Sequence, residues 1–128
     1  LDFLQHRLYN CSSSVAFSDP AACTVTITGE DIAFLERAID DCCERAGTIR
    51  GFVLPGGSKC ASFLHVARTV CRRAERVAWS LAEEEEVDAN ILAFLNRASD
   101  LLFAAARCAN RIENGADILW DKDASIPG

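Results

Sequence analysis

The 128-residue sequence has no methionine, one tyrosine, two tryptophans, two histidines and three prolines. Positive charge is also short. Thirteen Lys and Arg face nineteen Asp and Glu, a net charge of -6, which excludes a protein held to nucleic acid or a membrane surface by bulk charge. No apolar run approaches the ~20 residues of a membrane-spanning helix. Nor is there the basic stretch and short apolar core of a secretory signal. Seven cysteines are present, Cys11, Cys23, Cys42, Cys43, Cys60, Cys71 and Cys108, but no Cys-x-x-Cys pair. Only His6 and His65 could add nitrogen ligands, so no zinc site is expected and no metal ligand is assigned. The odd count reads as reduced cysteines used as small core residues, which points to a reducing compartment, the cytoplasm or an organelle matrix. With half its residues hydrophobic and a quarter charged, the chain folds, and its length suits one domain over residues 1–128. The missing methionine, at position 1 as elsewhere, raises the expectation that the natural protein carries a further N-terminal segment.

Four segments show helical periodicity. Leu1, Leu4, Leu8, Cys11 and Val15 step by three and four, as do Ile32, Leu35, Ile39, Cys42 and Ala46. Phe63, Ala67, Val70, Ala74 and Val77 form a third stripe, and Ile91, Leu95, Ala98, Leu102, Ala105, Ala109 and Ile112 a fourth. One-sided stripes of this kind belong to helices packed at shallow angles. Ser18, Asp19 and Pro20 end the first helix. Val25 to Ile27 could be a short extended piece, and Thr28 with Asp31 approaches a capping box for the second. Gly47 closes the second helix, Ser58 can cap the third after a Pro55-Gly56-Gly57 turn, the run Glu83 to Glu86 marks a solvated end, and Asn114 and Gly115 stop the fourth. The tail to Gly128 has no strong pattern. Strands do not alternate with helices, so the predicted fold is an all-α up-and-down helical bundle.

Two stripes do not fit a plain bundle. On a helical wheel centred on Arg68, His65, Arg72, Glu75 and Arg76 fall within about 100°, whereas Arg73 lies about 140° round. Arginines sharing a stripe repel unless carboxylates or an anion sit opposite. A solvated charged face and a clamp for polyphosphate or carboxylate both satisfy that. On the fourth helix, Asn96, Ser99, Asp100, Phe103 and Arg107 form a non-core stripe with a large aromatic among polar groups. A second packing surface explains it, and so does a ligand with a flat apolar face and polar edges. The Gly-rich turn before Lys59 is not a Walker A loop, because Ser58 precedes the lysine and the spacing is wrong. His65 has no carboxylate at helical spacing and no paired-acid site stands out, so acid–base catalysis is not indicated.

The run Phe52-Val-Leu-Pro-Gly-Gly, then Leu64-His65-x-x-Arg68 and Arg72-Arg73-Ala-Glu75-Arg76, resembles one family. So does Asp88-Ala-Asn90 followed by Asn96-Arg97-x-Ser99-Asp100-x-Leu102-Phe103. It is the propanediol-utilisation type of ATP:cob(I)alamin adenosyltransferase. The resemblance is densest from about Phe52 to Asn110 and looser from Leu1, where Gln5 and Ile27 to Asp31 also fit. It implies a five-helix bundle assembled as a homotrimer with sites between subunits. It implies transfer of the 5′-deoxyadenosyl group of ATP to the cobalt of cob(I)alamin, with Mg²⁺ accompanying the ATP. A flavin reductase and an adenosylcobalamin-dependent enzyme would be partners, in the cytoplasm or, in a eukaryote, the mitochondrial matrix. By the same resemblance, Arg68 pairs with an acid across the interface and Arg72 contacts ATP at the reacting end. Asn96 is a second ATP contact, Glu75 and Arg76 support the nucleotide, Phe52 lies beneath the corrin, and Phe103 walls its pocket. The family's Gly- and Thr-rich nucleotide loop and the helix after it precede the first helix seen here, and neither is in this sequence. A non-catalytic corrinoid-binding or assembly protein is therefore the alternative.

Overall fold

The structure, a computed structural model, describes residues 1–17 and 19–128. Four helices account for most of it: α1 (Asp2–Ala16), α2 (Gly29–Ala46), α3 (Lys59–Glu84) and α4 (Ala89–Asn114). A single 3-10 turn, Pro20–Ala22, lies between the first two. Among the described residues there is no strand, and the chain is an all-α up-and-down bundle. The four-residue link between α3 and α4 is too short for anything but an antiparallel return.

The helix ends follow the local chemistry. The Thr28 hydroxyl accepts from the Asp31 N–H while the Asp31 carboxylate accepts from the Thr28 N–H, a complete capping box at the start of α2. The Ser58 hydroxyl accepts from the Ala61 N–H to cap α3. The Asp88 carboxylate accepts from the Asn90 N–H to cap α4. Gly47 (φ 80°) and Gly115 (φ 79°) close α2 and α4 in a conformation that favours glycine. The expected stop after α1 is seen at Ala16, though Ser18 lies outside the described residues.

α4 is the hub. It packs along α2 and α3 and only lightly against α1. The core gathers Leu35 of α2, Cys71 of α3, and Phe94, Leu95, Ala98 and Leu102 of α4. The extended piece at 25–27 forms no ladder. Its Ile27 is buried, and its carbonyl accepts from the Asn90 side chain at 3.1 Å, so the Asp88-Ala-Asn90 motif both starts α4 and ties this segment down.

Three expectations need correction. The α3 stripe predicted as core is largely uncovered, with Phe63 and Val77 each 63% exposed and Val70 half exposed. α3 instead meets α4 through His65, against Phe103, and Cys71, against the Leu95 carbonyl, and the apolar stripe forms the lip of a groove between α1 and α3. On α4 the supposed non-core stripe is partly core, since Ser99 and Arg107 are buried. The cysteines divide: Cys11, Cys71 and Cys108 are buried, but Cys43 and Cys60 are exposed, and the described chain has no disulfide. Burial pushes the Cys11 thiol up to about 12 and the Cys71 thiol to about 11, so both stay protonated and unreactive.

Candidate functional site

The Phe52 loop, residues 47–58, is pinned to α4 at both ends. At its start, buried Arg107 donates to the Gly47 carbonyl at 2.9 Å. At its end, fully buried Asn110 donates to the Gly56 carbonyl and accepts from the Ser58 N–H, each at 2.8 Å. Gly57 has φ 110°, and a Cβ there would run into the Asn110 side chain, so glycine is required by both conformation and space. Between these anchors Phe52 projects outward, 76% exposed.

The tail is not patternless in space. The Phe52 carbonyl accepts from the Trp120 N–H at 2.7 Å, and the Leu54 N–H donates to the Ile118 carbonyl at 2.8 Å. These flank an antiparallel bridge between Val53 and Leu119. The rings of Phe52 and Trp120 meet edge to face, 6.0 Å apart. Sequence reasoning missed this pairing because two short stretches some 65 positions apart carry no periodicity to announce it.

A second cluster sits on α3 and α4. The Arg68 guanidinium lies over the Phe103 ring at 5.0 Å, and the His65 ring meets the same phenylalanine edge to face at 5.9 Å. His65 is 3% exposed and its Nε2 has no hydrogen-bond partner. Burial, then the Arg68 charge, pushes its pKa below the ordinary value, while Asp117 pulls it back. Asp117 comes from the tail and is paired elsewhere. Its Oδ2 accepts from the Arg107 Nε at 3.0 Å in a buried ion pair, and its Oδ1 has no partner.

Of the residues picked out from the sequence, Arg68 and Phe103 are thus in contact. Phe52 pairs with Trp120. Arg72, Glu75 and Arg76 continue along α3, with Arg72 and Arg76 exposed and Glu75 half-buried. Asn96 is half-buried, and its side-chain carbonyl accepts from neighbouring Arg97. Arg73 faces the groove on the α1 side, away from this set. Among the described residues no carboxylate lies within ion-pair distance of Arg68, Arg72 or Arg76, in contrast to Arg7, Arg97 and Arg107. Of these three arginines only Arg68 is half-buried, where a guanidinium without a counter-charge is costly; Arg72 and Arg76 are open to solvent. No three His, Cys, Asp or Glu side chains gather as a metal site among the described residues.

A family description, cobalamin adenosyltransferase, matches residues 1–109. The chain belongs to the cobalamin adenosyltransferase family. It is 41% identical over 123 residues to a corrinoid adenosyltransferase of Bacillus subtilis (strain 168), covering 96% of this chain and 63% of that protein. It is 42% identical over 109 residues to the corrinoid adenosyltransferase PduO of Citrobacter freundii, covering 84% of this chain and 32% of that one. The chain therefore spans less than two-thirds the length of these relatives. Among solved structures it resembles a variant PduO-type ATP:corrinoid adenosyltransferase from Lactobacillus reuteri complexed with cobalamin and ATP. There the TM-score is 0.87 at 36% identity, covering 94% of this chain and 66% of that one. The tail that engages Phe52 lies beyond the residues matched to the family.

Proposed function

We propose that this chain forms the helical body of an ATP:corrinoid adenosyltransferase, which transfers the 5′-deoxyadenosyl group of ATP to the cobalt of cob(I)alamin. The observation that carries the reading is the α3 arginine face, with Arg68 stacked on Phe103 and no carboxylate among the described residues to neutralise it. Cobalt(I) attacks C5′, a cobalt–carbon bond forms, and the C5′–oxygen bond breaks with its electron pair leaving on triphosphate. Cobalt(I) is nucleophilic enough to need no general base. What the protein supplies is alignment and neutralisation of the departing charge. Arg72 contacts ATP at the reacting end, with Asn96 as a second contact and Glu75 and Arg76 in support. Arg68 takes an acidic partner across a subunit interface. Phe52 lies beneath the corrin, excludes the lower axial ligand and so eases reduction of cobalt(II), and Phe103 walls the pocket. The described residues offer Mg²⁺ no cluster of His, Cys, Asp or Glu, and in this reading the ion travels with ATP and no protein step is routed through it.

The same reading gives an apolar groove an occupant. The groove between α1 and α3, about 650 Å³ and lined by Leu4, Leu8, Phe63, Val70 and Leu102 among others, suits a further helix laid along α4. In this reading the apolar face of an upstream helix of a longer protein is the occupant of that groove. The enzyme is a homotrimer with sites between subunits, with a flavin reductase reducing the cobalt before transfer and an adenosylcobalamin-dependent enzyme taking the product. Its compartment is the cytoplasm, or the mitochondrial matrix in a eukaryote. No described helix is long and apolar enough to cross a membrane.

The test supplies the full-length protein with Mg-ATP and pre-reduced cob(I)alamin and follows formation of light-sensitive adenosylcobalamin and triphosphate. Corrinoid binding without transfer would replace this reading with the non-catalytic one. Light scattering that found a stable monomer at micromolar concentration would remove the trimer.

A further inference from the structure

An exposed aromatic on a glycine-bearing loop does not hold one orientation unless something orders it, because the ordering entropy must be offset. Phe52 has such a partner in the tail. Two backbone hydrogen bonds, Trp120 N–H to the Phe52 carbonyl and Leu54 N–H to the Ile118 carbonyl, grip the loop on either side of Val53. The Trp120 ring closes on the Phe52 ring at 6.0 Å and 71°, the edge-to-face arrangement that aromatic pairs favour. A two-stranded pairing this short is marginal by itself. Its order comes from Asp117, whose carboxylate is bound by buried Arg107 at 3.0 Å, and the same guanidinium grips Gly47 at the start of the Phe52 loop. One buried arginine thus sets both the loop and the tail segment that holds it.

We infer that residues 117–120 are a clamp that positions Phe52, with Asp117 as its anchor and Trp120 as its jaw. Trp120 and Asp117 are positioning residues that act through Phe52. The effect on cobalt chemistry rests on the function proposed above, whereas the clamp itself does not.

The clamp is tested first without any corrinoid, by hydrogen exchange of the full-length protein. The Leu54 and Trp120 amides are expected to be protected, and Asp117→Asn to lower that protection about ten-fold, while the α4 core amides, read in the same experiment, keep theirs. Leu54 and Trp120 amides exchanging like open loop in the unmodified protein would overturn the clamp, as would unchanged protection in Asp117→Asn. The second arm compares Trp120→Ala, Trp120→Phe, Phe52→Ala and the Phe52→Ala/Trp120→Ala pair. Cobalamin is given either as cobalt(II) with a one-electron reductant or as pre-reduced cobalt(I). Trp120→Ala is expected to slow the cobalt(II) reaction about ten-fold, the worth of one aromatic contact, and the cobalt(I) reaction much less. Trp120→Phe should restore most of the loss, and the double variant should be no slower than Phe52→Ala. Equal losses from Trp120→Ala in both assays, or losses that multiply in the double variant, would overturn action through Phe52. Equal losses from Phe52→Ala itself would instead remove Phe52's role at cobalt, and the exchange data would still judge the clamp.

Discussion

α3 and α4 are each 26 residues long and carry similar apolar stripes, yet three residues of α3 are buried and thirteen of α4. The stripe records that a helix has an apolar side; it does not record whether anything covers it. α4 is enclosed because α2 and α3 lie against different sides of it, so even the polar Ser99, Arg107 and Asn110 are taken inside. Each then finds a job. The Ser99 hydroxyl donates to the Asn96 carbonyl, and the other two hold the Phe52 loop. α3 packs closely only on α4, so Arg72, Arg76 and much of its Phe63–Val77 stripe stay open on the rest of its circumference, while Arg68 leans on Phe103. The buried helix positions the loop, and the exposed one presents the charge.

The largest expected effect contrasts the two helices directly. Phe94→Ala, at the centre of the α4 core, should cost about 3–5 kcal/mol in denaturant unfolding. Val77→Ala on α3 should stay within about 0.5 kcal/mol while that face is open to solvent. A Val77→Ala cost approaching that of a core residue in the full-length protein would show the α3 stripe to be covered, and the contrast would become one of partners and not of burial.

Next comes the charge on α3. Arg72→Ala should lower turnover with pre-reduced cobalamin by about 10²–10³-fold, the scale of removing one strong electrostatic contact from a transition state. Arg72→Lys should recover only part of this, since a point charge does not replace a guanidinium fork. Near-normal turnover of Arg72→Ala would make the face an ordinary solvated surface.

The polar groups inside α4 supply a smaller effect. Asn110→Ala leaves the Gly56 carbonyl and the Ser58 N–H without their partner and should cost about 1–3 kcal/mol, with the Phe52 loop loosened in hydrogen exchange. A loss of stability with the loop still protected would mean that Arg107 and the tail suffice to hold it.

The smallest effects are in pH dependence. For Asp31, burial alone would raise the pKa, but the Arg7 guanidinium at 2.8 Å and the Thr28 bonds outweigh it and hold the carboxyl below its ordinary value of 3.8. Its contribution is therefore complete above that value and is lost as pH falls through the depressed one; Asp31→Asn should flatten this acid limb. His65 on α3 is held below its ordinary 6.5 by burial and then by Arg68. Folding then resists its protonation, so stability is full above 6.5 and falls as pH drops below it, a slope that His65→Gln should remove. An unchanged slope in His65→Gln would place the titrating group elsewhere and weaken the picture of a buried α3 contact beside an open arginine face.

Helix boundaries were legible from the residues alone. Thr28 with Asp31, Ser58, Gly47 and Gly115 act on backbone groups within a few positions of themselves, so their meaning survives without knowledge of the fold, whereas the Asp88 cap of α4 emerged only in the structure. The family motifs were legible too, because Phe52, Arg68, Arg72 and Asn96 keep their order and spacing. Only tertiary structure decided which stripes are covered. It turned the Phe63–Val77 stripe of α3 outward and took Arg107 inward, since burial depends on what packs opposite and not on a helix's own period. It also brought Asp117 to Arg107, and Trp120 to Phe52. Those contacts join parts of the chain that share no local geometry, and they form only where the α4 scaffold has already brought the loop and the tail together.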